Sequence, residues 1–132
     1  MPRIHHPALT IATDRPEDRA TVTVSCDIEF TEVEVNAMNL LGLRYTLHCH
    51  VLNKDLLDEN SVINYEHREF PRVPGEAREH EHVVFETRAR MYTMNERLFG
   101  KDKLVAELRL RNEETNEEVV QRTEEIAVDL AA

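Results

Sequence analysis

The stretch TVTVSCDIEF, residues 21–30, decides the fold class. Apolar and polar residues alternate strictly along it, and the apolar set is Val22, Val24, Cys26, Ile28 and Phe30. Successive side chains of a β-strand point to opposite faces of the sheet. This period of two therefore predicts a strand with one face in the core and the other in solvent.

Three later segments continue the same alternation. Their predicted inward residues are Leu43, Tyr45, Leu47, Cys49 and Val51 in residues 43–51, Val83, Phe85, Thr87, Ala89 and Met91 in residues 82–94, and Leu104, Ala106, Leu108 and Leu110 in the first strand of a C-terminal hairpin. Weaker strands are expected at residues 8–13 and 61–67 and in the return of the hairpin. Turn-rich segments such as residues 70–80, with two prolines and a glycine, separate the strands.

About seven short strands with turns between them are typical of a sandwich. We therefore expect an all-β protein: a single antiparallel β-sandwich domain over residues 1–132, with an immunoglobulin-like Greek-key layout and residues 1–7 as a flexible N-terminal arm. One short helix is expected near residues 32–40. Thr31 and Glu34 have the spacing of a capping box there, and Gly42 is suited to end the helix.

The charge of the chain bears on its partners and location. The formal net charge is −10, and nucleic acids and anionic membrane surfaces both favour basic proteins. No apolar run approaches the roughly 20 residues that cross a bilayer, and residues 1–19 have no apolar region of the kind that marks a secretory signal. We expect no nucleic-acid or membrane partner, a cytoplasmic location, and reduced thiols at Cys26 and Cys49.

Two His-x-His pairs are the candidate metal ligands, His48 with His50 and His80 with His82. Residues two apart on a strand share a face, so each pair offers two imidazoles to one side of its sheet. If the two strands are neighbours, all four imidazoles converge on one divalent metal such as zinc. The alternative is a solvated histidine face with no cofactor. Cys49 points to the opposite face from His48 and His50, so a thiol nucleophile paired with either histidine is not expected.

Arginine and tyrosine on a sheet surface suggest a protein interface. The predicted outward faces carry Arg88, Arg90 and Tyr92 on one strand and Arg109 and Arg111 on another. These residue types are enriched where proteins meet. They also lie along their own sheet when no partner is present, and the sequence does not separate the two cases.

Signatures of catalysis are missing from the sequence. It contains no G-x-S-x-G, no H-E-x-x-H and no glycine-rich phosphate-binding loop. We therefore expect a non-enzymatic binding or assembly module that interacts with a protein partner or with itself. Two alternatives stay open: a metal-binding protein that uses the His-x-His pairs, and a sandwich that binds a small ligand or a sugar. The chain has no Trp, which counts against the sugar.

Overall fold

The computed structural model describes residues 1–54, 61–91 and 102–129. Over these ranges the chain forms eight β-strands and one α-helix. In chain order they are β1 (Arg3–Asp14), β2 (Arg19–Glu29), α1 (Glu32–Leu41), β3 (Tyr45–Asn53), β4 (Ser61–Phe70), β5 (His80–Arg90), β6 (Asp102–Asn112), β7 (Glu118–Arg122) and β8 (Ile126–Val128). This part of the chain contains no helix with the length and apolarity needed to span a bilayer.

The strands form two antiparallel sheets that pack as a sandwich. One sheet has the order β1-β2-β5, and the other has the order β4-β3-β6-β7, with β8 also beside β6. The chain changes sheet after β2, after β4 and after β5, which gives the Greek-key connections expected for an immunoglobulin-like layout. The strand beyond the expected seven is β8, because the return of the hairpin divides into β7 and β8 and each pairs with β6.

The core lies between the two sheets and is built from the alternating residues of both. Val24, Cys26 and Ile28 of β2 are at most 2% exposed, and Leu47 of β3 and Leu108 of β6 are fully buried. Together with the inward residues of β5 they form one hydrophobic cluster. The period of two thus identified the inner faces of these strands, because inner faces of packed sheets exclude water.

Helix α1 carries the chain from the first sheet to the second and begins at the predicted capping box. The backbone N–H of Glu34 donates to Thr31 Oγ1 at 3.2 Å, and the Glu34 carboxylate accepts from the backbone N–H of Thr31 at 2.7 Å. Gly42 ends the helix at φ 73°, a left-handed conformation that glycine adopts without steric cost. Met38 anchors the helix in the core at 3% exposure.

The expected flexible arm at residues 1–7 is a point where the structure differs. Strand β1 begins at Arg3 and pairs with β2 from there, and Ile4 lies in the core opposite Ile28. The register of β1 shifts between His5 and Ala8, so the next inward residue after Ile4 is Leu9, five positions on. A bulge reverses which residues point inward before it relative to those after it. The alternation of apolar and polar residues therefore does not extend to the first residues of β1, and a period of two does not predict them as a strand.

Candidate functional site

The two His-x-His pairs lie in different sheets. His48 and His50 are on β3, which pairs with β4 and β6, whereas His80 and His82 are on β5, which pairs with β2. Both pairs are on outer faces, as expected from their parity, but these faces are on opposite sides of the sandwich. The four imidazoles therefore do not converge, because the condition of neighbouring strands is not met.

On the outer face of the first sheet, His82 meets the histidines of β1 across Asp27. His82 Nδ1 lies 2.7 Å from Asp27 Oδ1, and His6 Nδ1 lies 3.1 Å from Asp27 Oδ2, so one carboxylate joins two imidazoles. Beside them His5 Nε2 lies 3.2 Å from Glu29 Oε2. These side chains line a depression of about 400 Å³ that also includes His80. We call His5, His6, Asp27, Glu29, His80 and His82 the β1–β5 histidine cluster.

Asp27 is the electrostatic centre of this cluster. The hydrogen bonds from His82 and then from His6 lower the pKa of the Asp27 carboxyl below its ordinary value. The ionised carboxylate is the form that accepts from both rings, which is why these contacts favour it. Since the site is open to solvent, its carboxylate–imidazole contacts are screened and contribute little to folding.

The outer face of the second sheet carries the remaining histidines around Tyr65. His48 Nδ1 lies 2.6 Å from the Tyr65 hydroxyl, and the His50 ring centroid is 4.8 Å from that of Tyr65. His67, directly opposite His48 on β4, stacks on Tyr65 at a centroid distance of 6.0 Å. Burial lowers the pKa of His48, because the charged imidazolium loses hydration there. We call His48, His50, Tyr65 and His67 the β3–β4 aromatic cluster.

The seven histidines of the chain thus divide between these two clusters, four on one outer face and three on the other. Within the ranges that the structure describes, no three His, Cys, Asp or Glu side chains are placed to hold one metal ion. The sequence found His48, His50, His80 and His82 but missed their actual neighbours. Tyr65 and His67 could have been predicted to share a face, because they are two positions apart on the strand that was expected at residues 61–67.

Both thiols point into the core, as expected from the alternation. Cys26 and Cys49 are free cysteines, 1% and 2% exposed. Burial raises the pKa of each thiol to about 12. A thiolate is the nucleophilic form, so neither sulfur has the protonation state or the access that catalysis requires.

The two arginines of β6 are engaged within their own sheet. Arg109 donates to the Glu107 carboxylate and, at 2.9 Å, to Glu118 Oε2. Arg111 donates to Asn116 Oδ1 at 2.6 Å. Burial pushes the pKa of Glu107 upward, but the hydrogen bonds from its arginine neighbours outweigh burial and bring the pKa below its ordinary value. These side chains follow their own sheet, the alternative that the sequence left open.

Arg88 and Arg90 lie on the other side of the sandwich from Arg109 and Arg111. Both are exposed on the outer face of β5, in register with Thr21 and Arg19 of β2. Tyr92 lies outside the described residues. The five residues expected at an interface therefore do not form one surface, and those on β5 are the ones exposed to solvent.

An apolar surface that the sequence did not single out lies on α1. Val33, Leu40 and Leu41 are 77%, 80% and 82% exposed. With Ala37 they occupy positions i, i+4, i+7 and i+8, an arc of roughly 100° around the helix. Together with Asn36 they line a shallow depression of about 330 Å³. We call Val33, Ala37, Leu40 and Leu41 the α1 stripe.

The α1 stripe lies beside the buried face of the same helix. Met38 and Val35 turn toward the core. Exposed Glu32 lies to one side of the stripe in the helical projection, whereas Glu34 on the other side is 12% exposed and is bound by the Met1 amino group at 3.7 Å and by the Tyr45 hydroxyl. A helix on a protein surface usually has one apolar face, which packs on its core. The second apolar face of α1 is exposed to solvent and therefore indicates an interaction surface, because contiguous apolar patches mark such surfaces.

Comparison with known proteins adds a structural likeness. No family model and no curated protein sequence matches the chain. Among solved structures, β-glucosidase 3B from Thermotoga neapolitana, in complex with alpha-D-glucose, aligns with 97% of this chain at 13% identity and a TM-score of 0.36. This chain covers only 17% of the length of that enzyme. A TM-score this low bears on neither activity nor ligand.

Proposed function

We propose that this protein is a non-catalytic β-sandwich module that binds another protein through the α1 stripe. The observation that carries the proposal is the exposure of Val33, Leu40 and Leu41 on one side of a helix whose other side is already anchored in the core. An apolar helix face that lies in a groove of a partner is a recurrent mode of recognition, with anchors at i, i+4 and i+7. The inert thiols agree with a role in binding rather than catalysis.

Charge defines the chemistry of the partner. The exposed Glu32 lies beside the stripe, and residues 32–41 contain no basic side chain. A second copy would bring the same acidic side chain to this surface and is disfavoured there by local repulsion, so the partner is expected to offer an apolar pocket with a basic rim.

The position of α1 leaves the stripe open to such a partner. The helix joins Glu29 to Tyr45 and so lies at one end of the sandwich. His80 and Asn112, which pair with these two residues, are at the same end. The strand ends at Asn53, Ser61, Arg90 and Asp102 lie at the opposite end of the sandwich. Since the stripe is small, we expect a transient interaction rather than an obligate one.

Site-specific crosslinking provides the test. A photoreactive amino acid replaces Leu40 in one variant and Val120 in another, because Val120 is an exposed apolar residue, 40% accessible, on β7 of the other sheet. We expect a protein to be captured from position 40 and not from position 120. The captured protein is then purified, and its affinity is measured for the wild type and for Leu40→Asn/Leu41→Asn.

Support comes from that affinity and not from capture alone. Loss of both leucine anchors should weaken binding at least about tenfold, because apolar anchors dominate small interfaces. Added salt should weaken it further, since the rim contacts are ionic. Equal affinity for the wild type and the double variant, with Val120→Asn as the matched control, would refute the proposal. Failure to capture any protein from position 40 would refute it as well.

A further inference from the structure

Strand β5 is the most regular of the sheet edges in the described part of the chain. It is the outer strand of the sheet β1-β2-β5, and its eleven residues pair with β2 without a register shift. The opposite edge, β1, contains Pro7 and a bulge. In the other sheet β4 has an irregular register against β3, and β7 has five residues. Bulges, proline and short length are the usual protections of an edge, and β5 has none of them.

The His82 carbonyl of β5 accepts from the Arg72 guanidinium at 2.8 Å, so within the described part of the chain the open edge of this strand is the backbone around Thr87, residues 84–88. The core behind it is closed. The Arg68 guanidinium of β4 covers the Phe85 ring at 4.8 Å from the centroid, and Asn64 donates to Thr87 Oγ1 at 3.3 Å. These contacts close the gap between β4 and β5. A long edge strand whose neighbouring core is already covered can pair with another strand through its backbone, without any apolar surface becoming exposed.

We propose that β5 pairs antiparallel with β5 of a second copy of this chain, about a two-fold axis at Thr87. This places Glu86 opposite the partner copy's Arg88, and Arg88 opposite the partner copy's Glu86, on the exposed outer face. On the inner face Phe85 lies opposite Ala89. The strand is thus complementary to itself, as an isologous interface requires.

The charge pattern selects this register over its neighbours. An axis one residue earlier opposes Glu86 to itself, and an axis one residue later opposes Arg88 to itself, and like charges directly opposite each other destabilise a sheet. An axis at Phe85 sets Glu86 against Val84, with no charge partner. The axis at Thr87 gives two opposite-charge pairs and no like-charge pair. The β5 edge and the α1 stripe share no residue, so the two surfaces can act independently.

Charge reversal tests the pairing. Molar mass is measured by light scattering after size exclusion over a concentration series, for the wild type, Glu86→Arg, Arg88→Glu and Glu86→Arg/Arg88→Glu. We expect the wild type at twice its 15.4 kDa, each single variant with a dimer dissociation constant raised at least about fivefold, and the double variant restored to the wild-type value.

Two controls separate the pairing from net charge and from folding. Glu114→Arg on the exposed hairpin tip changes the net charge as Glu86→Arg does, and Arg78→Glu on the exposed loop matches Arg88→Glu. Both should dimerise as the wild type does, and all variants should keep the same circular dichroism spectrum. A monomeric wild type at about 100 µM, single variants that dimerise like the wild type, or a double variant that is not restored would each overturn the proposal.

Discussion

The two faces of α1 predict losses of stability of very different size for the same kind of truncation. Met38 is 3% exposed and Leu40 is 80% exposed, and both are large apolar residues in one helix. Met38→Ala removes side-chain atoms from the packed core and should lower the free energy of unfolding by about 2–5 kcal/mol. Full burial of a leucine contributes about 1.5–3 kcal/mol, so the buried fifth of Leu40 accounts for about 0.3–0.6 kcal/mol. The better helix propensity of alanine offsets part of that loss.

Urea unfolding followed by circular dichroism measures both variants. We expect a clear decrease of the midpoint for Met38→Ala and a change within about 0.5 kcal/mol for Leu40→Ala, with unchanged slopes. A loss above about 1 kcal/mol for Leu40→Ala would mean that this side chain supports the fold. That result would refute the assignment of the stripe to partner binding, because the assignment requires that the fold does not depend on these side chains.

Three further predictions follow from single residues. Thr31→Ala should destabilise the protein by about 1 kcal/mol in urea unfolding, because it removes the acceptor for the Glu34 N–H; Thr31→Ser should retain most of that stability. The pKa of His48 lies below its ordinary 6.5, so the neutral ring is favoured in the folded state and its contribution is lost as pH falls below 6.5. His48→Gln should therefore lose less stability than the wild type between pH 7.5 and 5.5, and an unchanged pH slope would contradict this. Cys26 and Cys49, each with a pKa near 12, should not react with a thiol reagent at pH 8 until the protein is unfolded; rapid labelling of the native protein would contradict their burial.

The sandwich was predictable because the alternation of each strand encodes its inner face. Residues 21–30 contain the signal in full, and β2 has the expected buried set. The alternation fails at the bulge between His5 and Ala8, where one irregularity shifts the parity of everything before it. The expected arm was therefore wrong over residues 3–7, although Ile4 is a core residue.

The histidine clusters were only half predictable, because strand order is a long-range property. Parity placed His48 and His82 on outer faces, and the structure agrees. Which strands lie side by side depends on the crossovers between sheets, and local periodicity contains no record of them. Asp27 and His6 therefore become neighbours of His82 through β2, the strand between β1 and β5.

The proposed dimer would change what a small α1 stripe can achieve. The stripe lies beyond the end of the first sheet where His80 pairs with Glu29, and Thr87, on the axis, is seven positions after His80. At about 3.3 Å per residue this is about 23 Å along the strand, so an antiparallel pair holds its two stripes roughly 45 Å apart at opposite ends. A partner with two pockets at that spacing would bind with avidity, since the second contact is then intramolecular. Weak single contacts and the proposed symmetric dimer would together favour partners with two pockets over partners with one. Glu86→Arg should then weaken binding to such a two-site partner while leaving the affinity for a single pocket unchanged.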